Sequence, residues 1–312
     1  MNKVIVTGAS SFIGKAMTRA ILEKYTSTIV YAIVRNKHLL AGLDKISSRL
    51  IIIECDYCDY YKLKELISGP IDVFIHFAWA GVVGSESRSI VTQSRNINAA
   101  CCAMEQAHAL QTKKFIFVGS SYQYRLEPYY VNGKEIFAYR NIYGMAKQAA
   151  ADMLKVYAQN IELQYNSLLF TNVYGVGDCS NRSTNALIRQ LLNGKTLKLI
   201  LGEHKHDWTY IDDAVKGILA VIEKGKDSVE YYIGSRKLKT FAEIIQQVRD
   251  IVNPVVDLDF GAFMDKGYID YSKIDLDRLH LDTGFECKSD FENNIRRTVD
   301  WIKRMDDITG VE

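Results

Sequence analysis

The chain has 312 residues, a composition that is 48% hydrophobic and 24% charged, and a formal net charge of +2. That length supports one large or two modest domains with a sizeable core. The near-balanced charge points away from nucleic acid as a partner, and no apolar run reaches the ~20 residues of a membrane span.

Residues 3–6, Lys-Val-Ile-Val, read as a strand beginning two residues after Met1. That leaves no room for a signal peptide and makes a cytoplasmic location the expectation. Thr7-Gly8-Ala9-Ser10-Ser11-Phe12-Ile13-Gly14 follows, and a helix pattern runs from about Phe12 to Lys24 with Ala16, Met17, Ala20 and Ile21 on one face. Strand, glycine turn, helix is the setting of a dinucleotide phosphate loop. Gly8 serves the tight turn, Gly14 serves close helix–strand packing, and the pyrophosphate rests on the helix N-terminus. Ser11 stands where the loop's middle glycine is usual; it is small and can itself donate to phosphate.

Residues 29–34 read as the second strand, ending at Arg35 with Lys37 just beyond. An acid at this strand end grips a ribose 2′-hydroxyl, whereas an arginine suits a 2′-phosphate. With no acid at 35 or 36, NADP(H) is expected over NAD(H). The third strand, 50–54, ends at Asp56-Tyr57, placed to meet the adenine. Cys55 and Cys58 form a CxxC among six cysteines. No second pair supplies the four ligands of a zinc site, so the cysteines read as reduced thiols and no metal is expected.

The fourth strand, 72–77, runs into His76-Phe77-Ala78-Trp79-Ala80-Gly81, where small residues let backbone approach a cofactor and His76 reads as a satisfied strand-end histidine. A long helix, about 90–110, carries Asn96. The fifth strand, 114–118, ends in Gly119-Ser120-Ser121-Tyr122-Gln123-Tyr124. Strands alternating with helices at this spacing predict a doubly wound parallel sheet of α/β class with helices on both faces. Gly8, Arg35, Asp56, Ala78 and Ser120 all fall at carboxyl ends of strands, where such sheets bind ligands.

Residues 125–142 read as an irregular loop. Tyr143-Gly144-Met145-Ala146-Lys147 then opens a helix to about Gln159, with tyrosine and lysine one turn apart on one face. A nearby ammonium favours the phenolate, which suits proton transfer in carbonyl and alcohol redox chemistry. A sixth strand, 163–170, leads to Thr171-Asn172-Val173-Tyr174-Gly175. Beyond it come helices over 181–193, 212–224, 241–252 and 290–303 and strands over 197–201 and 231–235. His204, His206 and Asp207 lie together in a loop, too close in sequence to read as a metal site.

Together these motifs resemble the extended short-chain dehydrogenase/reductase family of nucleotide-sugar epimerases, dehydratases and 4-ketoreductases. The match runs from Thr7–Gly14 through Ser120–Tyr124, Tyr143–Lys147, Asn172–Gly175 and Asp207–Asp213 to Asp282-Thr283-Gly284-Phe285 and Thr298–Trp301. Within it the chain looks most like bacterial polysaccharide-cluster oxidoreductases. The resemblance implies a Rossmann-type domain, 1–173 with 207–235, and a smaller interleaved domain for a nucleotide sugar, 174–206 with 236–312. It implies Tyr143 as acid/base, Lys147 on the nicotinamide ribose, and Ser120, with Ser121 as the fallback, on the sugar oxygen. Cofactor contacts from Ser10 to Ile13, Tyr57, Phe77 and Asn96, and substrate contacts from Trp79, Ser121, Tyr122, Asn172, Asn185 and Arg236, follow by the same resemblance. A homodimer through the helices at 90–110 and 143–159 is expected.

Three departures matter. The acids that eliminate water in the dehydratases are Ser121 and Tyr122 here, so dehydration is not expected. Arginines usual at two further positions are Leu169 and His206, leaving Arg182, Lys205 and Arg236 as candidates for the pyrophosphate. The expected activity is therefore NADPH-dependent 4-ketoreduction of a nucleoside-diphospho-4-keto-6-deoxy sugar for surface polysaccharide. A nucleotide-sugar 4-epimerase is the rival, and a non-catalytic dinucleotide-sensing protein is the reading of another class.

Overall fold

A computed structural model describes residues 1–40, 47–180, 183–288 and 290–309. Five strands, β1 (Lys3–Thr7), β2 (Ile29–Val34), β3 (Leu50–Glu54), β4 (Val73–His76) and β5 (Lys114–Val118), alternate with helices α1 (Phe12–Lys24), the short α2 (Leu63–Leu66) and α3 (Ile90–Ala109). A hairpin, β6 (Arg125–Val131) and β7 (Lys134–Tyr139), precedes α4 (Ile142–Asn160), followed by β8 (Gln164–Leu169) and β9 (Asn172–Tyr174). The remainder comprises α5 (Ser183–Leu192), β10 (Leu197–Ile200), β11 (Lys205–His206), β12 (Trp208–Tyr210), α6 (Ile211–Lys224), β13 (Val229–Tyr232), β14 (Lys239–Thr240), α7 (Phe241–Val252), β15 (Leu258–Phe263), β16 (Tyr268–Ile269), α8 (Arg278–Thr283) and α9 (Phe291–Thr309).

Seven strands form one parallel sheet in the order β13-β8-β5-β4-β1-β2-β3. Both faces are covered, and alternation along each strand divides the core in two. Val4, Val6, Ile75 and Ile116 pack with Met17 and Ile21 of α1 and Ile218 of α6. Ile5, Phe74, Phe115 and Phe117 pack with the alanines of α3 and α4, among them Ala99, Ala103 and Ala150. Those small side chains bring α3 and α4 close to the sheet and to each other, which fixes where Tyr143 and Lys147 emerge.

The segment expected to be irregular is instead the β6–β7 hairpin, in register from Leu126↔Tyr139 to Val131↔Lys134. Asn132 and Gly133 both have positive φ, 52° and 76°, the backbone of a type I′ turn that Asn-Gly favours between β-forming residues. β16 pairs with β6, and β15, also unforeseen, pairs with β10. Outside the large sheet the remaining pairs, β9 with β12 and β11 with β14, are only two or three residues long.

Candidate active site

The crevice opens between β1 and β4, where the winding of the sheet reverses and an α/β sheet offers its ligand site. Gly8 has φ +64° there, and a Cβ on it would lie 2.8 Å from the amide nitrogen of Ala78. The two strand ends therefore approach as closely as only glycine allows. Thr7 ties them together: its hydroxyl accepts from the Ala78 N–H (3.4 Å) and bonds His76 Nδ1 (3.0 Å). Burial holds the His76 pKa down to about 3, with the Lys147 charge adding to the effect. His76 is thus neutral and only partly satisfied, since its Nε2 finds no partner among the described residues.

Ser11 caps α1, its Oγ accepting from the Gly14 N–H at 3.1 Å. The departure from glycine gives the helix start a side-chain cap, worth roughly a few tenths of a kcal/mol over glycine, and leaves the hydroxyl proton free to donate. A cavity of about 690 Å³ lies beyond this loop, lined by Ser11, Phe12, Ile13, Phe77, Trp79, Ser120, Tyr122, Tyr143, Lys147 and Asn172 of the expected residues. The glycine-lined approach and the capped helix N-terminus fit a dinucleotide pyrophosphate.

Tyr143 and Lys147 come from the first two turns of α4, which Asn141 caps through the Gly144 N–H (2.9 Å). The Tyr143 ring meets Trp79 and Tyr122 edge-on, at centroid distances of 6.4 and 5.9 Å. The Lys147 ammonium donates to the Val118 carbonyl at 2.6 Å and sits 3.8 Å from the centre of the Trp79 ring. Burial pushes its pKa well down. Ser120 caps the turn at 121–124 through Tyr122 N–H (3.2 Å) while still lining the cavity.

Several expected contacts lie elsewhere. Ser121 is fully buried and lines neither this cavity nor the next, its backbone N–H held by the Phe170 carbonyl. The Asn96 amide spans the backbone of Ala80, donating to its carbonyl (2.8 Å) and accepting from its N–H (2.9 Å), so it shapes the 78–81 loop from below. Asn185 spends both amide protons on the carbonyls of Asp178 and Ser180. Arg236 is paired with Asp277 and Glu286 and lines neither cavity. Asp56 caps the turn that begins at Tyr57, and Arg35 is exposed at the end of β2. Ser10 is half-buried in the loop, and Arg182 lies outside the described residues.

A second cavity of about 450 Å³ adjoins the first and shares Tyr122, Thr171 and Asn172 with it. Its cations include Lys205 and Arg125; Arg125, missed in the sequence, is steadied by Glu127 (3.1 Å) and lies over the Tyr122 ring at 5.1 Å. His204 stacks on Tyr268 with centroids 4.1 Å apart. His206 turns edge-on to Phe241, and burial lowers its pKa to about 4, so a neutral ring occupies the position where the resemblance places an arginine. Asp207 turns elsewhere, accepting from Tyr232 Oη and Ser235 N–H, both at 2.6 Å, and burial raises its pKa to about 6. No cluster of metal-ligating side chains occurs among the described residues.

Comparison with known proteins places the chain. The model of the NAD-dependent epimerase/dehydratase family matches residues 4–234. The chain belongs to that family. It is thereby an enzyme of the extended short-chain dehydrogenase/reductase type with a Rossmann-like fold. A CDP-abequose synthase from Yersinia pseudotuberculosis is 25% identical over 84% of this chain and 88% of its own. The solved UDP-glucose 4-epimerase of Thermotoga maritima superposes with a TM-score of 0.80 at 22% identity, covering 98% of this chain and 99% of the other. A UDP-glucuronic acid 4-epimerase from Bacillus cereus, solved with NAD, gives 0.79 at 23% identity over 97% and 99%. Among the described residues of this epimerase/dehydratase-family chain, no helix is long and apolar enough to cross a membrane.

Proposed function

We propose that this enzyme reduces the 4-keto group of a nucleoside-diphospho-4-keto-6-deoxy sugar with NADPH, in the cytoplasm, for surface polysaccharide. The observation that carries the reading is the make-up of the crevice wall. Tyr143, Lys147 and Ser120 line it together, and no carboxylate stands among its described lining residues. Elimination of water needs such an acid; protonation of a carbonyl oxygen does not. The bound dinucleotide supplies the hydride. Tyr143 gives its proton to the developing alkoxide, Ser120 donates to the same oxygen where charge appears, and Lys147 keeps a positive charge beside the phenol. Arg125 and Lys205 take the diphosphate at the second cavity. Residues 1–173 with 207–235 form the dinucleotide domain and 174–206 with 236–312 the nucleotide-sugar domain.

Supplied with a panel of nucleotide-linked 4-keto sugars, the purified protein consumes one NADPH per sugar reduced, and Tyr143→Phe lowers turnover by about 10²–10⁴-fold. Full turnover in that variant overturns the catalytic reading in favour of a dinucleotide-sensing protein. A second reading, nucleotide-sugar 4-epimerase, uses the same three side chains with a recycled NAD. The family match supports it, since that family is one of NAD-dependent epimerases as well as dehydratases. Protein that carries bound NAD and interconverts 4-epimers without consuming NADPH establishes that reading instead.

A homodimer through α3 and α4 belongs to the same proposal. Met153 and Val156 of α4 are more than half exposed, 54% and 58%, beside a groove of about 540 Å³ shared with Cys101 and Met104 of α3. Sedimentation at micromolar concentration gives twice the chain mass on this reading and the chain mass against it.

A further inference from the structure

Among the described residues, Lys147 is a buried cation without a buried anion beside it. Its side chain is 3% exposed, and its ammonium donates to the Val118 carbonyl, its one hydrogen bond among the described residues. The groups around it are His76 on β4, Phe117 and Val118 on β5, Trp79 in the following loop and, lining the same cavity, Tyr143 on its own helix; among the described residues none is a carboxylate. What faces the charge is aromatic: the Trp79 ring at 3.8 Å and the Phe117 ring at 4.9 Å. Indole presents the most negative π-face of any side chain, and that attraction grows when water is excluded. The indole is itself fixed. Its Nε1 donates to Gln93 Oε1 at 2.9 Å, and Gln93, 1% exposed, spends its amide protons on the carbonyls of Gly81 (2.9 Å) and Glu86 (3.0 Å).

We propose that Trp79 is a positioning residue: its indole face, locked by Gln93, carries the Lys147 ammonium at the floor of the crevice in the ligand-free protein. The inference rests on reading Tyr143 and Lys147 as the acid/base pair, and it adds how the pair is held ready. The same indole meets Tyr143 edge-on, so one side chain sets the relation of both members. Trp79 thus supports the charge of Lys147 against the desolvation that opposes it.

The test is nitrogen NMR of ligand-free protein labelled at lysine Nζ, with Lys147→Met assigning the resonance. Wild type shows a Lys147 signal displaced upfield by the indole ring current. Trp79→Leu loses that displacement and releases the ammonium proton at a pH about one unit lower, a tenfold change in protonation equilibrium. Trp79→Phe, which retains a π-face, restores most of both, and Gln93→Leu moves both part-way. An unchanged signal and midpoint in Trp79→Leu overturns the proposal. Should Trp79→Leu fail to fold, an unchanged signal in Gln93→Leu overturns it instead. Tyr143→Phe with full turnover overturns the acid/base reading while leaving the Trp79 signature standing, so the two failures are distinct.

Discussion

The crevice at the strand ends takes most of its lining from turns that directly follow β1, β4, β5 and β8 and from the first turns of α4. The second cavity is closed by separate segments drawn from between Tyr122 and Ile269, joined by strand pairs of two to four residues. In the first, position is set by a seven-stranded sheet and small residues, and the buried Lys147 rests on aromatic rings. In the second, position is set by long cationic side chains and short strand pairs, with the buried acid Asp207 turned away behind it. A site built by register is rigid and indifferent to distant sequence; a site built by assembly is adjustable one segment at a time.

Substitution at the rigid end should be the most costly. Gly8→Val combines positive φ on a β-branched residue with a Cβ 2.8 Å from backbone. A loss of about 3 kcal/mol in urea unfolding, with dinucleotide binding abolished, is expected. Retained binding would show that the strand ends can separate.

The two regions should also respond to pH in opposite senses. His76 has its pKa depressed to about 3, so its contribution is present above about 6.5 and is lost as pH falls. Asp207 has its pKa raised to about 6, so its contribution is present below about 3.8 and is lost as pH rises through 6. Between pH 4 and 6 the slopes oppose, each about 1.4 kcal/mol per pH unit. Urea midpoints across that window should rise more steeply with pH in Asp207→Asn and flatten or reverse in His76→Gln. Matching slopes in the two variants would remove the contrast.

At the adjustable end the effects shrink. Arg125→Ala and Lys205→Ala should each raise KM for the nucleotide sugar about tenfold with kcat and the dinucleotide KM unchanged, the pattern of lost uniform binding. A change in kcat would move these residues from grip to chemistry. Smallest, Arg35→Ala should lower the NADPH-to-NADH ratio of kcat/KM by several-fold to about tenfold, since one exposed charge contributes about 1 kcal/mol. An unchanged ratio favours the epimerase reading.

What the sequence disclosed follows the same division. The parallel sheet, the glycine loop and the placement of Tyr143 and Lys147 were readable because strand, turn and helix are local and their periods distinct. Ser120 and Ser121 were separable only in three dimensions, because one turn aims adjacent hydroxyls at crevice and core. Asn96 and Asn185 were assigned to ligands by resemblance, yet in this chain both hold loop backbone. The hairpin had its signal in Asn132-Gly133, overlooked amid tyrosines and a proline. Arg125 was not legible, since its place in the second cavity depends on β16 pairing with β6 from well over a hundred residues away.

Tyr122, Thr171 and Asn172 stand in both cavities at once. Any single molecule that fills the two must cross that partition, so its reach between the ends is gauged by backbone at the close of β5 and β8. The partition behaves as a ruler cut into the scaffold: altering the outer loops changes what is grasped at the far end, while the distance from there to the Tyr143 hydroxyl stays as the sheet made it.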